Sequence, residues 1–182
     1  NDGRESYLEQ HVTGLDQLTG STTAKNVLTV GSFSMNDTGT NKGTTDFSSA
    51  GPTNDFRIKP EVCGPGENLG VAAWAQDEPT ATDRYRASSG TSFASPAVAG
   101  GVALLQQLHK STFDNYMDGA AMKALLCHTA DDINEWAGQD ITGPDVKTGY
   151  GAVNLEKAAQ LIEKDKKETL TIHSFELDQG ET

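Results

Sequence analysis

The 182-residue chain is acidic, with a formal net charge of −12 and only 14 lysine and arginine residues. This charge argues against nucleic acid and anionic membranes as partners, because both are negative themselves. With 35% hydrophobic and 22% charged residues, the composition excludes a disordered or membrane-embedded chain, and no apolar run approaches the ~20 residues that span a bilayer. Because the chain starts at Asn1 rather than at a methionine, we expect an internal piece of a longer protein.

The N-terminal half is predicted to hold two short strands between loops. Residues 1 to 23 are polar and predict a loop with one short helical turn. The β-branched run from Asn26 to Ser32 predicts a buried strand, and residues 33 to 46 are turn-forming throughout and predict an exposed loop. Leu69 to Trp74 predicts a second strand.

The centre of the chain is a helix without charge. No Asp, Glu, Lys or Arg lies between Arg86 and Lys110, so the helix is predicted to be buried nearly all round. Gly90 frees the entry turn, Thr91 or Ser92 can cap the first N–H groups, and Pro96 fixes the helix start near Thr91. A hydroxyl at Ser92 faces the positive end of the helix dipole, which suits a nucleophile with an oxyanion intermediate. The alternative is that Ser92 is only an N-cap.

The C-terminal half is predicted to contain two helices, followed by a charged linker and a strand. An apolar face predicts a helix that starts after Asp118, and a last short helix spans Leu155 to Ile162. The charged run 164 to 168 predicts a linker, and the alternation that follows predicts that 169–182 begins a further β-rich domain. The expected organisation is therefore a domain over 1–163, a linker over 164–168 and the first strand of another domain.

The two cysteines indicate neither a metal site nor a disulfide framework. Cys63 follows a strand-like run and Cys127 lies on an apolar helix face, and their spacing is not C-x-x-C. Both are predicted to be small buried hydrophobic residues.

Four stretches resemble, in order along the chain, the motifs of the subtilisin-like serine proteases (subtilases). They are Ala24–Gly31 ("N-x-[IV]-x-V-G"), Phe47–Gly66 ("F-S-[SN]-x-G-P…K-P-[DE]-[IV]-x-[AG]-P-G"), Gly90–Pro96 ("G-T-S-x-A-[ST]-P") and Gly149–Asn154 ("G-x-G-x-[IV]-[ND]"). The resemblance covers about residues 20 to 160. It implies an α/β fold, namely part of a doubly wound, mostly parallel sheet with a buried central helix, followed by the start of a β-rich domain.

The resemblance also implies the roles of two residues. Ser92 matches the family's catalytic nucleophile, and its backbone N–H would donate to the oxyanion. A second oxyanion donor in the family is an asparagine side chain in a "G-N" turn upstream of the "V-x-V-G" strand, and Asn1 fits that position. The alternative for Asn1 is an ordinary turn asparagine.

The catalytic base is missing from the pattern. In subtilases the order is Asp, His, Ser, and of the four histidines only His11 precedes Ser92, without the family's "H-G-T" helix start. Asp37-Thr38-Gly39 imitates the "D-[ST]-G" aspartate motif, but it follows the Val27–Val30 strand and is interpreted as a coincidence. The chain is then the C-terminal fragment of a cleaved subtilase, a truncated piece of a whole protease, or a degenerate relative.

The favoured hypothesis is a serine endopeptidase whose His and Asp come from an upstream segment or companion chain, and whose substrate is a peptide or protein. A catalytically silent peptide-binding or scaffold module is the alternative; a non-peptidase esterase is third, because the G-x-S-x-G elbow is absent. The resemblance implies a secreted, extracellular or cell-envelope protein. No cofactor is predicted; calcium sites are common in the family, but the sequence locates none.

Overall fold

The computed structural model describes residues 15–35, 42–72, 85–133, 142–168 and residue 172. Helices and strands are both present, which confirms the α/β class. In chain order the elements are a 3-10 helix (Gly20–Thr23), β1 (Val30–Met35), β2 (Lys42–Thr44), β3 (Val62–Pro65), β4 (Leu69–Ala72), β5 (Tyr85–Ser88), α1 (Thr91–Phe113), α2 (Gly119–Thr129) and α3 (Leu155–Glu168).

The main sheet has three strands in the order β2-β1-β3. β1 and β3 run parallel, with Val30 opposite Val62. β2 runs antiparallel to the second half of β1, from Phe33 to Met35. The predicted strand over residues 26–32 therefore starts four residues later and extends to Met35. β2 lies inside the segment that was predicted as loop, because three residues become a strand here only by pairing with β1.

Extended backbone after the last glycine turn lies along the outer edge of β3. The Cys63 N–H donates to the Gly151 carbonyl at 2.8 Å, and the Val153 N–H donates to the Cys63 carbonyl at 2.9 Å. Both edges of β3 are thus occupied. A separate two-stranded antiparallel sheet, β4 with β5, leads from the end of β3 to the start of α1.

Helix α1 packs against β3 at a point where only glycine fits. A Cβ on Gly64 would lie 2.8 Å from Val98 Cγ2 and 2.9 Å from the Ala94 carbonyl oxygen. Further along α1, a Cβ on Gly101 would lie 2.6 Å from Leu155 Cδ1. The helix thus approaches β3 on one side and α3 on another. A buried apolar cluster joins α1, α2 and α3, and its fully buried members include Leu126 and Ile162.

The burial of α1 differs from the sequence-based expectation. Its buried residues are Ala94, Val98, Gly101 and Leu105, which lie on one face. Ser92 and Ala99 on the opposite side are exposed, and Leu104 is 65% exposed. Within the described part of the chain, α1 is therefore covered along one face only, although its opposite face carries no charge.

The C-terminal helix continues further than predicted. α3 ends at Glu168, so the charged run 164 to 168 is helical. The strand expected over 169–182 lies outside the described residues except for Ile172, whose side chain packs on the helical cluster. The domain boundary remains a prediction. Among the helices that the structure describes, none combines the length and apolarity needed to cross a membrane.

Candidate active site

The turn that leads into α1 is built from glycine and backbone hydrogen bonds. Gly90 adopts φ 151°, which other residues rarely adopt, and it is the N-cap residue of α1. Its N–H donates to the Gly66 carbonyl at 2.7 Å, which ties the turn to the loop after β3. Its carbonyl accepts from the Phe93 N–H at 3.0 Å. The helix therefore starts at Thr91 as predicted, but without the predicted side-chain cap from Thr91 or Ser92.

Ser92 is the second residue of α1, and its side chain is exposed. Neither its hydroxyl nor its N–H has a hydrogen-bond partner among the described residues. A free N–H in the first turn of a 23-residue helix is an orphan donor at the positive end of the dipole. Pro96 removes the backbone N–H that would otherwise donate to the Ser92 carbonyl. The geometry presents a hydroxyl and an anion-binding N–H from one rigid element.

Neither of the two described histidines is hydrogen-bonded to Ser92. His109 lies on α1 about 25 Å further along the helix axis, at ~1.5 Å per residue. Its Nδ1 atom lies 2.8 Å from the Asn115 carbonyl oxygen, and its ring contacts Phe113. His128 lies in the last turn of α2, in a cleft with Lys157 of α3. The described residues thus show no histidine paired with Ser92.

The other sequence-predicted candidates fall where the structure gives no description. Asn1, the expected oxyanion donor, and His11 lie before residue 15, and Asp37 lies between residues 35 and 42. Their roles therefore stay predictions.

The two thiols are not competing nucleophiles at neutral pH. Burial raises the pKa of Cys63 to about 12, with a smaller contribution from the nearby Asp145 carboxylate. Burial also raises the pKa of Cys127 to about 11. The reactive form of cysteine is the thiolate, so both side chains stay protonated and inert. Both are free thiols; Cys63 is buried as predicted, whereas Cys127 is only partly buried.

A buried ionic cluster near the start of β1 was not predicted. The Glu61 carboxylate lies 2.5 Å from Nζ of Lys59 and 2.5 Å from Nζ of Lys123, and it accepts the Thr29 N–H at 2.7 Å. Burial lowers the pKa of Lys59, and the hydrogen bond to Glu61 opposes this shift. The cluster joins β1, the loop before β3 and α2. Lys59 and Glu61 stand in one of the recognised motifs, but only the fold brings Lys123 to them.

No three His, Cys, Asp or Glu side chains in the described ranges are grouped so that they could hold a metal ion. The described part of the site therefore consists of Ser92, its own N–H and the glycine turn that holds them.

Comparison with known proteins assigns this chain to a family. Residues 3–153 match the subtilase family of peptidases. The chain is 32% identical over 130 residues to the PII-type proteinase of Lacticaseibacillus paracasei, a match covering 66% of this chain and 6% of that protein. It is 31% identical over 131 residues to bacillopeptidase F of Bacillus subtilis, covering 72% of this chain and 8% of that protein. The chain thus spans less than a tenth of the length of these relatives.

Solved structures agree with this assignment. The CspB protease of Clostridium perfringens has a TM-score of 0.63 and 26% sequence identity, with coverage of 82% of this chain and 29% of the other. The self-cleaved protease domain of PatA, at 24% identity, shares the fold, with a TM-score of 0.58 and coverage of 90% of this chain and 55% of the other. The glycine-held serine at the start of α1, the four ordered motifs and these matches lead to one conclusion: the chain belongs to the subtilase family of serine proteases.

Proposed function

We propose that the protein containing this chain is a serine endopeptidase in which Ser92 is the nucleophile. The observation that carries the proposal is the exposed Ser92 hydroxyl at the opening of α1, within Gly90-Thr91-Ser92-Phe93-Ala94-Ser95-Pro96, which has no hydrogen-bond partner among the described residues. The Ser92 N–H and the Asn1 side chain bind the oxyanion. The His and Asp of the triad come from an upstream segment or a companion chain.

The chemistry follows from these groups. The Ser92 oxygen attacks the peptide carbonyl carbon while its proton passes to the imidazole. The carbonyl oxygen becomes an oxyanion, held by the Ser92 N–H and the amide of Asn1. The C–N bond then breaks, and the departing amine takes the proton from the imidazole. A water molecule hydrolyses the acyl ester, which restores the Ser92 hydroxyl and releases the acid.

The surface of the described chain supports the need for a further segment. An apolar groove of about 340 Å³ runs between the start of β1 and helices α1 and α2, and its lining includes Leu28, Val98 and Met122. β2 pairs only from Phe33 onward, so the first half of β1 has no strand on that edge among the described residues. A strand from the segment that carries His and Asp fits beside β1, where it fills the groove and covers the uncharged face of α1.

It follows that this chain alone neither cleaves peptides nor folds fully. In urea, the isolated chain is expected to lose structure gradually, and a cooperative transition would contradict this part of the proposal. Addition of the segment that carries His and Asp is expected to restore both cooperativity and activity.

Substrate and location follow from the family. The substrate is an extended peptide or protein that pairs with strands next to the active site. The protein acts outside the cell or in the cell envelope; one relative, 43% identical over 63 residues, is named minor extracellular protease Vpr of Bacillus subtilis. The negative net charge disfavours nucleic acid and anionic membranes as partners. The scheme uses no cofactor, and calcium has no assigned site.

The test is labelling of the full-length protein with a fluorophosphonate. Ser92 oxygen attacks phosphorus, a P–O bond forms, fluoride leaves and the hydroxyl proton goes to the base. We expect the label on Ser92, and we expect Ser92→Ala to abolish labelling and proteolysis. Ser111→Ala, at the exposed far end of the same helix, is the matched control and should retain both. Persistent proteolysis in Ser92→Ala would refute the proposal.

A silent peptide-binding module remains the second candidate, because neither described histidine is hydrogen-bonded to Ser92. Under that hypothesis the full-length protein binds peptides but is not labelled.

A further inference from the structure

Beneath the glycine turn lies a buried hydroxyl that no hydrogen bond explains. Ser32 of β1 is fully buried, and its Oγ atom has no hydrogen-bond partner among the described residues. The backbone around it is well bonded: the Ser32 N–H donates to Ser48 Oγ at 2.9 Å, and its carbonyl accepts the Thr45 N–H at 3.2 Å. A buried hydroxyl without a partner is unfavourable for folding. Its presence here calls for a reason other than stability.

The Ser32 hydroxyl lies directly against Gly66. A Cβ built on Gly66 would lie 2.2 Å from Ser32 Oγ, 3.0 Å from Ser32 Cβ and 3.0 Å from the Gly90 carbonyl oxygen. The side chain of Ser32 therefore occupies the space that a side chain at Gly66 would need. β1 therefore approaches the Gly66 backbone through this hydroxymethyl group, in addition to a backbone hydrogen bond from Gly66 to Phe33.

Gly66 connects β1 to the turn before Ser92. Its N–H donates to the Phe33 carbonyl at 3.2 Å, and its carbonyl accepts the Gly90 N–H at 2.7 Å. Gly90 in turn accepts the first hydrogen bonds of α1. The position of the first turn, where Ser92 lies, is thus set by the separation between β1 and Gly66.

We propose that Ser32 is a positioning residue for the Ser92 nucleophile, and that it acts by holding Gly66, and through it Gly90, at a fixed distance from β1. This inference rests on the proposed function, because it assigns Ser32 to the same reaction. A hydroxymethyl group fills the gap beneath Gly66; a methyl group leaves space into which the turn can shift, and a larger group displaces it. Misplacement of a reacting group by about 1 Å can reduce rates ~10²-fold.

The experiment measures the rate at which a fluorophosphonate labels Ser92 in the full-length protein. Gly66→Ala brings a methyl group against Ser32 Oγ, and we expect labelling and kcat to fall ~10²-fold with KM little changed. Gly66→Ala combined with Ser32→Gly removes two of the three closest contacts, including the shortest one, and we expect most of the lost rate to return. Gly70→Ala is the matched control: a Cβ there meets nothing within 4 Å, so the rate should not change.

A second variant separates positioning from folding. Ser32→Ala removes the unpartnered hydroxyl, so we expect an equal or higher unfolding midpoint together with slower labelling of Ser92. A purely structural role predicts that stability and rate change in the same direction. If Gly66→Ala fails to fold, the Ser32→Ala variant by itself still tests whether Ser32 positions Ser92.

The outcomes are distinguishable. A parent protein that is not labelled at Ser92 overturns the proposed function and this inference with it. If the parent is labelled, two results overturn this inference but leave the proposed function standing. One is a Ser32→Ala variant that reacts at the parent rate, and the other is a double variant that regains no rate.

Discussion

The Glu61 cluster allows a quantitative test of what holds β1 in place. Lys59 is 1% exposed, so its ammonium group depends on the Glu61 carboxylate for compensation of its charge. Its other contacts are neutral, namely the Val27 carbonyl at 2.7 Å and Thr29 Oγ1 at 3.2 Å. Glu61→Gln keeps the shape of the side chain and removes its charge.

The expected loss of stability around β1 is large, because Lys59 then remains charged and buried without its partner. Removing one partner of a buried ion pair lowers the free energy of unfolding by about 3–5 kcal/mol, because the other charge stays buried without compensation. A loss of this size in the opening free energy corresponds to a ~10²–10⁴-fold faster local opening. Lys123 is partly exposed and can turn to solvent, so the remaining strain centres on Lys59.

The assay is amide hydrogen exchange of the full-length protein, read on peptides that cover residues 27–33. We expect exchange in Glu61→Gln to accelerate by the factor above, and Lys59→Met in the same background to restore part of the protection. The control is Glu168→Gln, which breaks the exposed pair with Lys164 at 3.4 Å and should change nothing measurable. Parental exchange rates in Glu61→Gln would show that the cluster does not hold β1.

Three further variants test packing, capping and titration. Gly101→Ala places a Cβ against Leu155 and should lower the urea midpoint by the equivalent of about 1–3 kcal/mol, whereas Gly119→Ala, with open space around it, should not; equal effects would contradict the close contact of α1 with α3. Asp118 accepts the N–H three residues along at 2.7 Å, so Asp118→Ala should cost about 1 kcal/mol in thermal unfolding, and an unchanged melting temperature would exclude this cap. Because burial raises the pKa of Cys63 to about 12, its contribution to stability is complete below about pH 9 and is lost as the pH rises toward 12. Between about pH 9 and 12, Cys63→Ala should therefore lose less stability than the parent protein. If the unfolding free energies of both proteins fall equally steeply with pH, the raised pKa of Cys63 is contradicted.

The starts of α1 and α2 could be predicted from the sequence because their signals are local. Gly90 and Asp118 mark the starts of α1 and α2, and the structure places both at N-cap positions. The identity of the nucleophile turn was readable for the same reason, since its residues are contiguous. These features depend on neighbours within one or two turns.

Features that depend on distant partners were not predictable. β2 exists only through pairing with β1, and a lysine as deeply buried as Lys59 is expected from no composition rule, because charged residues are rarely buried unless paired. The expectation that α1 is buried all round was wrong for the described residues. The absence of charged residues indicates that a helix can be buried, but it does not indicate which element packs on each face. Ser32 gave no signal at all, because its role depends on Gly66 and Gly90.

The backbone along the outer edge of β3 has a consequence for anyone who tries to reassemble this protein from parts. With Gly151 and Val153 bonded to one side of β3 and β1 to the other, the described sheet is sealed on that flank. Among the described residues, the first half of β1, beside Val30, has no strand partner on its other side, and β2 is the end strand of the sheet. A complementing peptide for split-protein work should therefore be designed as a strand that pairs with β1 beside Val30, not as one that pairs with β3.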